Sequence, residues 1–338
     1  MNTLVGVDRK FWHARPVLVT GATGQLGGWL VKDLLALGAE VVCLVRDWLP
    51  HSEFVRGGLL ENIRVVRGDL RDPGLLERVV AEYEVKTVFH LAAQAIVTVA
   101  NRLPANAFDV NIRGTWLLLD ACQRNPTVEQ VVMASTDKVY GAQGNLPYRE
   151  DMPLDAVYPH DVSKACAEMV ARAYAETYGL KVAFARLPNL YGPGDLNWNR
   201  IIPGTIRSVL LEERPVIHSS GRFIRDFLFV EDAAAAHLCL AEGLAKNPHL
   251  SGQAFNISNQ DQMTILDLVR KIIRLAGKDL QPDVQDRAQH EILSQYMSAE
   301  KARSQLGWQP NYTLDRGLKL TIDWYKTFLN STAGKGPQ

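Results

Sequence analysis

The chain has 338 residues, 47% of them hydrophobic and 22% charged, with 37 basic and 37 acidic side chains and a formal net charge of zero. That length leaves room for a sizeable core plus a second lobe, and the charge balance offers no global excess to draw in nucleic acid or an anionic membrane. Its four cysteines, Cys43, Cys122, Cys166 and Cys239, make no CxxC pair or zinc spacing, so no metal site is expected and the thiols read as reduced, in a cytoplasmic protein.

Residues 1–15 read as an N-terminal tail, with Asp8, Arg9 and Lys10 but no apolar signal-peptide core. No apolar run reaches the roughly 18 residues of a membrane helix. From residue 16, short β-branched runs alternate with helical patterns. Strands are predicted at 16–20, 40–45, 63–67, 87–90, 130–134 and 181–185, and helices at 25–37, 73–83, 104–122 and 160–178. This alternation predicts an α/β chain with a Rossmann-type doubly wound parallel sheet and a ligand outside the carboxyl ends of its strands. After Leu187 the chain is punctuated by Pro188, Gly192, Pro193, Gly194, Pro203 and Gly204. Residues 190–225 read as loop plus helix. A helix at 232–244 and a strand at 254–257 are expected to return to the main sheet, and helices at 264–276 and 299–306 to build a smaller lobe. The expected division is a dinucleotide domain over 16–187, rejoined by 226–258, a second lobe from 188–225 and 259–330, and a flexible tail at 331–338.

The first strand runs into Gly21-Ala22-Thr23-Gly24-Gln25-Leu26-Gly27, a GxxGxxG spacing. Glycines permit the tight strand-to-helix turn and let backbone approach a pyrophosphate, which the helix N-terminus then receives. A plain βα turn is the bland alternative; the loop's place at the first strand of a βα series favours the cofactor. The second strand ends in Arg46 and Asp47. Asp47 can bind an adenosine ribose and Arg46 a 2′-phosphate, so NAD and NADP both stay open. Asp69 follows the third strand, either as an acceptor for the adenine amine or as a turn carboxylate.

Together with Gly68-Asp69-Leu70, Phe89-His90-Leu91-Ala92-Ala93-Gln94, Asn111-Ile112-Arg113-Gly114-Thr115, Ser163-Lys164, Arg186-Leu187-Pro188-Asn189, Tyr191-Gly192-Pro193-Gly194 and Arg225-Asp226-Phe227, these motifs resemble the extended short-chain dehydrogenase/reductase family along nearly the whole chain. Within it, Phe11-Trp12, Gly27-Gly28-Trp29-Leu30 and Ser135-Thr136-Asp137-Lys138 are most similar to the nucleotide-sugar 4,6-dehydratases, the CDP-glucose branch in particular. The resemblance implies oxidation of a sugar at C4 by the nicotinamide, elimination of water from C5/C6 and return of the hydride to C6. It implies Asp137 as the acid at the leaving hydroxyl, Lys138 as the base at C5 and Thr136 as a partner of O4. It places Leu70, Leu91, Ala92, Ala93, Gln94, Asn111 and Leu187 against the cofactor, Lys164 on its nicotinamide ribose, and Gln94, Asn189, Asn197, Arg200 and Arg225 on a nucleotide-diphosphate sugar. His90, taken alone, reads as a core histidine at a strand end.

One position departs from the family. A tyrosine four residues before the helix lysine should take the O4 proton, but here His160 precedes Lys164 on the same helix face. An imidazole can accept that proton, yet it is shorter and differently directed. Three readings of His160 stay open: a substitution introduced to trap a complex, a natural variant with weakened or altered chemistry, and a competent base. Three functions follow: a 4,6-dehydratase, an epimerase or reductase in which Asp137-Lys138 is incidental, and an inactive binding protein. The resemblance also implies a homodimer through a four-helix bundle built from 104–122 and 160–178, whose Ala165, Ala167, Ala171, Ala173 and Ala175 suit close helix packing.

Overall fold

The computed structural model describes residues 6–287 and 292–332. The expected tail at 1–15 is in part built into the fold. Arg9–Trp12 is a short helix capped by the Asp8 carboxylate. Trp12 is buried beside Phe89, and its Nε1 donates to Glu242 Oε1 at 2.7 Å. The tail at 331–338 falls largely outside the described residues.

The first six strands, β1 (Pro16–Thr20), β2 (Glu40–Val45), β3 (Arg64–Arg67), β4 (Thr87–His90), β5 (Gln130–Thr136) and β6 (Val182–Leu187), pair in parallel. The chain continues through β7 (Asn189–Tyr191), β8 (Val216–Ile217), β9 (Ile224–Phe229), β10 (Ala254–Asn256), β11 (Gln262–Thr264), β12 (Asp283–Val284) and β13 (Ser294–Gln295). β10 joins β6, and the main sheet runs β10-β6-β5-β4-β1-β2-β3. The order reverses between β1 and β4, which opens the crevice where such sheets bind ligands. The central strands carry Val17, Leu18, Val19, Val131 and Val132 fully buried, as parallel strands covered on both faces require.

The return to the main sheet is narrower than 226–258. Helix Val230–Lys246 packs on helix Gln25–Leu37 and β10 closes the sheet edge, but β9 leaves to centre a smaller sheet with β7, β11 and β13. Helices Ile201–Leu210, Ile265–Leu275 and Leu314–Thr332 cover that sheet around Tyr191, Phe227, Phe229 and Leu318. The predicted helix at 104–122 is three pieces: Pro104–Phe108, a π-helical turn at Asp109–Arg113, and Gly114–Arg124. The helical periodicity continues across the wide turn, so the pattern of apolar residues does not reveal it. The same turn brings Asn111 inward, with consequences at the site. No helix among the described residues is long and apolar enough to cross a membrane.

Candidate active site

A cleft of about 740 Å³ opens above the carboxyl ends of β1, β4, β5 and β6. The glycine loop forms one wall. Gly21 has φ +77°, and a Cβ there would lie 2.7 Å from the Ala92 nitrogen; at Gly27 it would lie 2.2 Å from Gly21 O. Only glycine lets β1's turn approach β4's loop so closely. No side chain caps the N-terminus of helix Gln25–Leu37, so its first N–H groups face the cleft unclaimed by a cap. Gln25 Nε2 donates to Gly192 O at 3.0 Å, leaving Oε1 buried without a partner. Gly21, Thr23, Gly24, Gln25, Leu26 and Gly27 line this cradle, whose uncapped N–H groups and close backbone fit what a dinucleotide pyrophosphate would need.

His90, at the end of β4, ties the floor together. It is 4% exposed, with Thr20 Oγ1 at 2.9 Å from Nδ1 and Thr115 Oγ1 at 2.9 Å from Nε2. Thr115 Oγ1 donates to Asn111 O at 2.6 Å, so it accepts from His90 Nε2–H, and Nδ1 accepts from Thr20. Thr20 Oγ1 in turn accepts from the backbone of Leu91 and Ala92. Burial, reinforced by the Lys164 charge, holds the His90 imidazole down to about 3, neutral throughout the physiological range. From the π-turn, Asn111 accepts from Gln94 N at 2.7 Å and donates to Ser163 Oγ at 2.8 Å, which donates to His160 O at 2.6 Å. One chain of bonds thus joins the β4 loop to the helix Pro159–Tyr178.

β5 runs two residues beyond its predicted end, to Thr136 beside Leu187. Asp137 and Lys138 follow in a 3₁₀ turn whose N-terminus the Thr136 hydroxyl caps, accepting from Lys138 N at 3.3 Å. Thr136 and Lys138 line the cleft, whereas Asp137 is fully buried behind them. Asp137 Oδ1 accepts from Thr136 at 3.1 Å and Lys138 Nζ at 3.4 Å, and Oδ2 is buried without a partner. Across the cleft, Lys164 Nζ donates to Ala134 O at 2.8 Å. Burial lowers this ammonium to about 8, against the opposing pull of Glu168. His160 is 6% exposed and lines the cleft.

The remaining expected residues divide. Leu91, Ala93, Leu187, Asn189, Asn197 and Arg200 line the cleft. Ala92, Gln94 and Asn111 stand one layer behind it as backbone and side-chain ties. Leu70 is buried against Gly114. Arg46 and Asp47, just beyond β2, form an exposed ion pair of 2.6 Å and are not among the residues that line the cleft. Asp69 does not present a free carboxylate to an adenine: both oxygens accept from Arg71, which holds Asp69 down to about 2. Arg225 Nη1 donates to Ile224 O at 2.9 Å, along its own strand rather than into the cleft. Arg200 is paired with Asp195 Oδ2 at 3.1 Å. Three partners escaped the sequence reading. Asp195 holds Arg200. Glu168 takes Ser135 Oγ and a two-pronged Arg186 bridge of 2.6 and 3.1 Å behind the Thr136 turn. Asp161 lies 2.9 Å from His160 Nδ1. All three carry ordinary surface-type charges, and no spacing rule marks such a residue as buried.

Comparison with known proteins agrees with this geometry. The chain is 30% identical to CDP-glucose 4,6-dehydratase of Salmonella typhimurium over 340 residues, covering 96% of this chain and 94% of that one. It is 32% identical to dTDP-glucose 4,6-dehydratase of Streptomyces antibioticus, covering 92% of each. Among solved structures, a dTDP-glucose 4,6-dehydratase from Streptomyces venezuelae with NAD bound superposes with TM-score 0.83 at 27% identity, over 94% of this chain and 98% of that one. A UDP-glucose 4-epimerase from Thermotoga maritima with UDP-glucose superposes with TM-score 0.84 at 27% identity, over 93% and 99%. Residues 17–258 match the family model described as the NAD dependent epimerase/dehydratase family, and with its glycine cradle, reversed strand order and cleft the chain belongs to that family.

Proposed function

We propose that this protein is an NAD-dependent nucleotide-sugar 4,6-dehydratase acting on a CDP-glucose-like substrate. The observation that carries the reading is the Thr136-Asp137-Lys138 turn at the end of β5, with Thr136 and Lys138 in one cleft with His160, Lys164 and the glycine cradle and Asp137 buried directly behind them. A bound nicotinamide dinucleotide would supply the hydride acceptor and donor. The chain's own residues do the rest. Lys164 hydrogen-bonds the ribose, His160 takes the O4 proton, and Thr136 orients O4. With the Lys138 proton passed to Asp137 across their 3.4 Å contact, Lys138 would remove the C5 proton and Asp137, whose Oδ2 is buried without a partner, would give its proton to the leaving O6. An epimerase has no use for this buried acid beside a cleft-lining lysine.

We read the cofactor as NAD, because Asp47 already neutralises the Arg46 cation that a 2′-phosphate would need. Asn189, Asn197 and Arg200, which line the same cleft, would hold the nucleotide diphosphate. Arg225 joins them only if its side chain leaves its backbone carbonyls. A homodimer through the two expected helices is supported by exposed apolar side chains on them, Phe108 and Trp116 on one and Met169 and Tyr178 on the other. Ala165, Ala167 and Ala171 are buried within the chain itself, so they do not form that face. The four free thiols, Cys43 and Cys122 buried, suit the reducing cytoplasm. The deciding experiment incubates the protein with NAD and CDP-, dTDP- and UDP-hexoses and weighs the products. Loss of one water is expected. An isomer of unchanged mass would make it an epimerase, and unchanged sugar with tight NAD binding would make it a binding protein.

A further inference from the structure

We infer that Asp161 and His160 form a base-and-orienter dyad that replaces the missing tyrosine, with Asp161 as a positioning residue; the inference rests on the dehydratase reading above and assigns its O4 proton acceptor. The two residues occupy the first turn of helix Pro159–Tyr178, directly after Pro159. A carboxylate in a first turn ordinarily serves only the helix dipole. Here Asp161 is 7% exposed, and its Oδ1 lies 2.9 Å from His160 Nδ1 in a pocket where both side chains are buried. A carboxylate only accepts hydrogen bonds, so Nδ1 carries a proton, and in the neutral ring the lone pair lies on Nε2. Since His160 lines the cleft and Asp161 does not, Nε2 is the nitrogen left for the substrate.

The frame around the dyad is tight. Ser163 Oγ donates to His160 O at 2.6 Å and is itself held by Asn111 from the π-turn. Asn111 also receives Gln94 N, so the backbone under the imidazole is pinned to the cofactor side of the cleft. The imidazole therefore has a fixed tautomer, a fixed backbone and one open nitrogen. These are the requirements of a general base whose partner orients it.

In the oxidation, the O4–H bond breaks and an Nε2–H bond forms. The resulting imidazolium is stabilised by the Asp161 carboxylate. The C4–H electron pair leaves as hydride to the oxidised nicotinamide dinucleotide, the C4 alcohol becomes a ketone, and charge and atoms balance. A phenolate at position 160 would meet the opposite condition, because the Asp161 charge disfavours a second anion beside it. Positions 160 and 161 should thus be coupled in sign.

Two measurements test this. In protein labelled with ¹⁵N-histidine, with His160 assigned through His160→Gln, long-range ¹⁵N–¹H spectra without any cofactor should show His160 protonated at Nδ1. Asp161→Ala should abolish that preference. In product assays, Asp161→Ala should lower kcat by about 100-fold with KM little changed in the natural chain, the lower end of what a positioned general base contributes. In the His160→Tyr background it should instead raise kcat, by about tenfold, for removal of one close like charge. If Asp161→Ala does not fold, Asp161→Asn takes its place. An Nε2-protonated His160, or a loss of activity in both backgrounds as a merely structural carboxylate would give, overturns the dyad. If no variant turns over any nucleotide sugar, the dehydratase reading falls, and the tautomer alone then decides the dyad.

Discussion

Two buried histidines serve one cleft, His160 in its lining and His90 behind it, and are put to opposite uses. His90 ends β4 and His160 opens the helix Pro159–Tyr178, at 4% and 6% exposure. His90 spends both nitrogens on hydroxyls, Thr20 and Thr115, and becomes a strut under the glycine loop. His160 spends one nitrogen on a carboxylate and turns the other toward the cleft. Burial does not separate a structural histidine from a chemical one. The partners do: hydroxyls can both give and accept and so close the ring's bonding, whereas a carboxylate accepts only and leaves a lone pair elsewhere.

The largest effect that would break this contrast comes from truncation. His160→Ala should cost about 10³-fold in kcat, within the range of a lost general base, and about 1–3 kcal/mol of stability, because it leaves the buried Asp161 carboxylate without its partner. His90→Ala should weigh more on the fold, destabilising it by about 2–4 kcal/mol through an emptied, hydrogen-bonded core site. Parallel kcat and Tm measurements on the pair would refute the contrast if both variants lost activity without losing stability.

The pH dependence of the His90 variant sharpens the point. The folded His90 stays neutral down to about 3, while in the unfolded chain it protonates near its ordinary value of about 6.5. Between those values the unfolded state binds the extra proton, so the stability that neutral His90 contributes is intact above about 6.5 and drains away as the pH falls. The destabilisation caused by His90→Ala should therefore shrink from pH 7 to pH 4, as read from denaturant midpoints at each pH. A cost that stays flat would mean that His90 is not held neutral.

A smaller effect involves Lys164, whose charge bears on His90 and whose helix carries His160. With its ammonium lowered to about 8, the proton that the ribose hydroxyls need is lost as the pH rises through that value. NAD affinity should weaken by up to about tenfold between pH 7 and pH 9, roughly the worth of one charge-assisted hydrogen bond. Lys164→Met should bind weakly and without that slope, which fluorescence titration can follow. The smallest expected change lies at the exposed Arg46–Asp47 pair. Asp47→Ala should free Arg46 and shift preference from NAD toward NADP by about fivefold, as an exposed pair is worth under about 1 kcal/mol. Both histidines should be untouched by it.

Much of this was readable from order along the chain. The alternating strands, the GxxGxxG turn and the Thr136-Asp137-Lys138 run are local patterns, and local geometry obeys them. The structure redrew the features that depend on distant partners. Asp69 reads equally as an adenine acceptor or a turn carboxylate until Arg71 folds back onto it. The 104–122 helix reads as continuous until its π-turn sends Asn111 to Gln94 and Ser163. Trp12 reads as part of a tail until Glu242 and Phe89 enclose it. β9 reads as returning to the main sheet, yet it pairs with β7, β11 and β13.

The sequence by itself determined the doubly wound sheet, the family, the cofactor loop and the absence of tyrosine at position 160. Each is written in residue identity at short spacing, where sterics and periodicity act. Only the tertiary structure decided what His160 is able to do. The direction of a ring nitrogen depends on which acceptor lies within 3 Å of it and which groups exclude water around both. Those neighbours, Asp161 and Ser163 excepted, come from the π-turn and the loop after β4, brought together only when the sheet has closed.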